Sequence, residues 1–168
     1  HGGADVGFDL SMGVTHAAGP MRIDGTAIAH IFAGGHGKLD YAELAAGAAT
    51  VIGPADIGVE FRYAPDQAAI GGDNFYMASR VAVAVVGTPF TVRAGLGRSS
   101  GNADDPARAA RLRPGGSYVD WSVGVDRVTG PLRIALAYTG SSAGRSPYPS
   151  ADASHVGDVV VGRIGIAF

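Results

Sequence analysis

Four short segments constrain the chain more than any other feature. AAGPMR (17–22), VIGPAD (51–56), VVGTPF (85–90) and VTGPLR (128–133) each set a glycine and a proline between two stretches of period-two alternation. Proline fixes φ and glycine tolerates positive φ, so each segment predicts a tight hairpin turn. Longer polar connections separate them: 33–38, 64–73, 99–117 and 140–154. Short and long connections therefore alternate. An up-and-down antiparallel meander built this way has all its short turns at one end and all its long loops at the other.

Nine strands fit between these marks, at about 4–15, 21–32, 39–51, 56–64, 74–86, 90–98, 118–128, 132–139 and 156–168. Most are longer than the usual 5–6 residues. In the first, Val6, Phe8, Leu10, Met12 and Val14 oppose Asp5, Gly7, Asp9, Ser11 and Gly13. In the fourth, Ile57, Val59 and Phe61 oppose Gly58, Glu60 and Arg62. The sixth sets Val92, Ala94 and Leu96 against Arg93, Gly95 and Gly97, and the seventh sets Val119, Trp121 and Val123 against Asp120, Ser122 and Gly124. In the eighth, Arg133 sits between Leu132 and Ile134. Segments 21–32 and 39–51 alternate too weakly for their faces to be assigned.

Two architectures produce such strands. A soluble barrel or sandwich turns the apolar face inward; a membrane barrel turns it towards lipid. The second face decides. It carries Gly, Ala and Ser mixed with Asp, Glu and Arg, whereas a water-exposed sheet is rich in Lys and Thr and avoids glycine. Glycine numbers 27 and Lys38 is the only lysine. Small residues beside charged ones suit a narrow polar interior, and strands of about 9–11 residues suit a tilted crossing of a bilayer. The expected fold is therefore all-β, an antiparallel up-and-down transmembrane β-barrel in one domain over residues 1–168. A soluble ligand-binding barrel remains the alternative architecture.

Bacterial single-chain barrels use an even number of strands. Nine visible strands, and an opening HGGADVG without an initiator methionine, predict that further strands precede residue 1. With short turns and C-terminus at the periplasmic end, the long loops are expected outside the cell. Net charge is −2, which offers no basic stripe for nucleic acid. Partners are expected to be outer-membrane lipid, small polar solutes and other outer-membrane proteins.

No chemistry is expected of the chain. AGGHGK (33–38) lacks the spacing of a phosphate loop. His1, His16, His30, His36 and His155 are scattered without metal-ligand spacing, no nucleophile elbow is present, and GLGRSSG (95–101) is a strand entering a loop. The expectation is no enzyme, no cofactor and no metal. The candidate functional residues are the inward-facing set Asp9, Glu60, Arg62, Arg80, Arg93, Asp120, Asp126, Arg133 and Arg163. They would line a pore, or pair into a closed plug. In the loop at 99–117, Asp105-Pro106 predicts the start of a short helix that groups Arg108, Arg111 and Arg113. These arginines form a basic constriction if the loop folds over the mouth, and a solvated surface if it does not.

The stretches VEFRYAPDQAAIGGDNFYMASRVAVAVVGTPFTVRAGLGRSSG (59–101), SYVDWSVGVDRVTGPLRIALAYTGSS (117–142) and VVVGRIGIAF (159–168) carry a family resemblance. In their order and motifs they resemble the TorF-family porins of Gram-negative bacteria, small outer-membrane barrels known largely as conserved hypothetical proteins. The resemblance covers most of the chain and is weakest before residue 40. It implies about three further strands at the N-terminus, giving about twelve, an even number. It implies passive diffusion of small polar solutes, with a non-conducting structural or accessory barrel as the alternative role. Phe168 resembles the C-terminal aromatic by which outer-membrane barrels are recognised for assembly.

Overall fold

In the computed structural model, which describes residues 4–144 and 157–166, nine antiparallel strands form one sheet in chain order. They are β1 (Val6–Ala18), β2 (Met21–Ala33), β3 (Tyr41–Ile52), β4 (Ala55–Gln67), β5 (Gly72–Ala84), β6 (Phe90–Ser100), β7 (Tyr118–Thr129), β8 (Leu132–Ser141) and β9 (Val159–Ile166). Each pairs only with its sequence neighbours, and the ladder is open: among the described residues β1 and β9 do not pair.

Three of the four Gly-Pro segments make two-residue hairpin turns, and VVGTPF closes a four-residue one, with the Val85 N–H donating to Phe90 O at 2.9 Å. In the first, Ala18 pairs with Met21 across Gly19 and Pro20, with Gly19 at φ +61°. The pairs Ile52–Ala55 and Thr129–Leu132 close the same way over Gly53-Pro54 and Gly130-Pro131. A positive-φ glycine followed by a residue locked at negative φ is the backbone of a type II′ turn, whose twist matches the strands it joins. The proline carbonyls also tie this end together: Pro54 accepts from the Ala84 N–H at 2.9 Å and Pro89 from the Val128 N–H at 3.1 Å.

One connection differs from expectation. The connection expected over 64–73 shrinks to residues 68–71, because β4 runs to Gln67 and β5 starts at Gly72. Pro65 lacks an N–H for the ladder, and the register shifts between Ala64 and Gln67 to pass it. The loop between β6 and β7 contains helix α1 (Pro106–Ala109), whose N-cap Asp105 accepts from the N–H groups of Ala107 at 3.1 Å and Arg108 at 3.2 Å.

The described residues form almost no apolar core. Among the described residues the buried hydrophobic side chains are Ala64, Ala69, Ile70, Ala109 and Ala110, all at the end of β4, the β4–β5 turn and the α1 region. The large apolar side chains instead cover one face of the sheet: Leu10 is 61% exposed and Met12 80%.

Candidate functional site: the polar face of the sheet

Side chains alternate across a strand, so the register assigns every strand residue to one of two faces. The apolar face carries Leu10, Ile23, Leu44, Phe61, Met77, Val92, Val123 and Leu136. Its acidic, basic and histidine members, Asp73, Arg98, Arg127 and His16, lie within two residues of a strand end. Arg127 there stacks its guanidinium on Phe90, 5.8 Å from the ring centre.

The other face is organised in rungs running across the strands. One reads Asp24, Gly47, Glu60, Ala78, Gly97, Asp120 from β2 to β7. The next rung towards the short turns reads Arg22, Ala49, Gly58, Arg80, Gly95, Ser122. Each carboxylate or guanidinium thus has glycine, alanine or serine as its cross-strand neighbour. The close approaches explain why. A Cβ at Gly58 would lie 3.0 Å from Arg80 Nε, and one at Gly97 would lie 2.6 Å from an Asp120 carboxylate oxygen. The charged side chains lie flat over their neighbours, in space that only a missing side chain leaves open.

At the long-loop end a chain of polar contacts crosses four strands. Asp9 Oδ1 meets His30 Nδ1 at 2.7 Å, and His30 Nε2 lies 3.6 Å from Glu43 Oε1. Arg62 Nη1 reaches the same Glu43 oxygen at 3.3 Å while its Nε donates to Glu60. The Tyr76 hydroxyl donates to Asp120 at 3.2 Å. A recess of about 550 Å³ opens between Glu43, Glu60, Arg62, Arg80, Tyr76 and Asp120. At the short-turn end, Arg93 Nε and Arg133 Nη2 both donate to Asp126 Oδ2, the second at 2.9 Å. Arg163 joins these three around a second recess of about 540 Å³.

Charge is sorted along the strands. The half nearer the long loops holds Asp9, Glu43 and Asp120 with Arg62, Glu60 sits at mid-strand, and Asp24 falls with the residues nearer the turns. The half nearer the turns holds Arg22, Arg80, Arg93, Arg133 and Arg163, with Asp56 and Asp126.

The β6–β7 loop lies against this polar face. Arg111 places its guanidinium over Phe32 and Tyr41, 5.3 and 5.7 Å from the ring centres, and donates to the carbonyls of Leu39 at 3.1 Å and Ala69 at 2.6 Å. Arg108 donates to Ala68 O at 2.7 Å. Arg113 is 5% exposed and donates to the carbonyls of Gly101, Asp73 and Asn102. Burial pushes both the Arg111 and the Arg113 guanidinium below the ordinary arginine pKa; Tyr41 and Asp40 oppose this at Arg111, and Asp73 opposes it at Arg113. The three arginines are thus stapled separately to neighbouring loops.

The register places Asp9, Glu60, Arg62, Arg80, Arg93, Asp120, Asp126, Arg133 and Arg163 on one face. It gathers them into two clusters rather than one ring. Phe168 lies outside the described residues. Sequence reasoning missed His30, Glu43, Asp24, Arg22, Asp56 and Tyr76. The charged i, i+2 pair Arg22-x-Asp24 repeats the pattern of Glu60-x-Arg62 and is the signal that reveals it.

Residues 2–163 match a family described as "Bacterial protein of unknown function (Gcw_chp)". The chain belongs to that family. The match spans all the strands from β1 to β8 and most of β9, so the rungs and the first recess lie within the Gcw_chp region, as does the second recess apart from Ile164 and Gly165. No curated protein and no solved structure matches the chain. Among the described residues no group of three or more His, Asp or Glu is placed to hold a metal ion.

Proposed function

We propose that this Gcw_chp chain is an outer-membrane β-barrel that passes small polar solutes passively through a charged lumen. The carrying observation is the sheet's apolar face, which is exposed along its length and charged only near the strand ends. Soluble monomers rarely expose an apolar surface of that extent, and lipid is the solvent that suits it. Among the described residues no helix is long and apolar enough to cross a membrane; in a barrel the strands make the crossing. The open edges of β1 and β9 support closure by further strands, about twelve in the complete protein. The Gly-Pro turns would then face the periplasm and the long loops the exterior. The resemblance to TorF-family porins points the same way, and selectivity would follow from pore radius and lining charge.

A specific observation favours a second reading, a non-conducting barrel serving as a structural or accessory subunit. The β6–β7 loop lies on the polar face, and several lumen charges are already paired. Single-channel recording of the full-length protein in a planar bilayer separates the two. Porin function predicts discrete steps whose size or ion preference changes in Arg93→Ala and Arg133→Ala. A folded, silent barrel leaves the accessory role. Extraction by aqueous buffer without detergent would overturn both readings.

A further inference from the structure

The cluster at the short-turn end has more donors than its own carboxylate can use. Arg93 and Arg133 converge on one oxygen of Asp126, whose side chain is 8% exposed, yet their own side chains remain 50% and 55% exposed. Each guanidinium carries five N–H donors in a planar fork, so most of those donors face the recess. Arg163 brings a third guanidinium to the same space. Gly124, Ala135, Ala137 and Gly165 supply no bulk to fill it. Three cations face one anion, and the surplus is positive.

We propose that this recess binds a small oxyanion, a phosphate or the carboxylate of a small solute. Asp126 holds Arg93 and Arg133 on one oxygen, and their remaining N–H donors, with the Arg163 guanidinium, are available to an oxyanion in the recess. Guanidinium forks match carboxylate and phosphate oxygens bidentately, and such charge-assisted bonds are about twice as strong as neutral ones. The proposal deepens the porin reading, on which it rests in taking the recess to open into a lumen. It names the solute class which that lumen would concentrate at its periplasmic end.

The test is isothermal titration of the full-length protein, folded in detergent micelles, with inorganic phosphate. Saturable binding is expected in the wild type. Loss of one charge-assisted contact weakens it by about tenfold or more in Arg133→Ala and in Arg163→Ala. Arg98→Ala, on the apolar face, leaves it unchanged. Asp126→Asn guards against simple misfolding: it removes the competing carboxylate's charge and is expected to tighten phosphate binding, a gain that a damaged site does not produce. Wild-type protein that binds no phosphate overturns the proposal, as does binding indifferent to Arg133 and Arg163. A silent bilayer beside intact phosphate binding would refute conduction and leave the site standing. Conduction without phosphate binding would do the reverse.

Discussion

At the scale of single residues, the glycines of this sheet divide into two kinds. Some lie under a neighbour's charged side chain, as Gly97 lies under Asp120 and Gly58 under Arg80. Others, such as Gly25 on the apolar face, have nothing within 4 Å of where a Cβ would stand. The two kinds should respond oppositely to the same substitution. Gly97→Ala forces Asp120 and Tyr76 aside and is expected to cost about 1–3 kcal/mol. Gly25→Ala is expected to gain about 0.5–1 kcal/mol by stiffening the unfolded chain. Urea unfolding midpoints of the two variants, measured in the same detergent, check both signs. Much of this was legible in advance, because strict alternation in β1, β4, β6 and β7 marks which residues share a face. The Asp9–His30–Glu43–Arg62 chain was not. Ile28, Phe32 and Val51 sit on the polar face of β2 and β3, while Ala27, Ala29, Ala46 and Ala48 occupy the apolar one. Hydrophobicity alone cannot tell such faces apart.

At the scale of elements, the turns and the β6–β7 loop are held by different means. The Gly-Pro turns depend on backbone conformation and were readable from two residues each. The loop depends on three arginines whose acceptors are carbonyls 11 to 72 residues away along the chain, a kind of partner that sequence does not display. The Asp105 cap was legible because capping is local. The destination of Arg113 was not. Arg113→Ala would leave three carbonyls without their donor, at a cost of about 1.5–3 kcal/mol to the docked loop. Limited proteolysis should then cut within 101–117 while the strands stay protected. Arg113→Lys should behave much like the alanine variant, since a single ammonium cannot reproduce the fork that Nη1 and Nη2 spread over three acceptors.

At the scale of the whole molecule, an exposed apolar face and, among the described residues, a near-absent apolar core make a prediction that depends on the solvent. Leu136 is mid-strand on the apolar face and 53% exposed. In a bilayer, Leu136→Arg is expected to destabilise the fold by about 2–4 kcal/mol, the cost of an arginine near the lipid midplane. Around a water-exposed sheet the same change would be nearly neutral. Equilibrium unfolding from lipid vesicles distinguishes these outcomes. The sorting of charge along the strands carries a consequence of its own. In the proposed barrel, a lumen with carboxylates in excess towards the long loops and guanidiniums in excess towards the turns is a fixed-charge junction, the ionic counterpart of a rectifier. When the long-loop side is made positive, cations enter through the carboxylate half and anions through the arginine half, and carriers accumulate in the middle. Reversing the voltage sweeps both out. The current–voltage curve should therefore be asymmetric, larger with the long-loop side positive. That asymmetry should fade as salt approaches 1 M, where the screening length falls to about 3 Å. A conducting barrel with a straight curve at low salt would show that the two halves do not act in series.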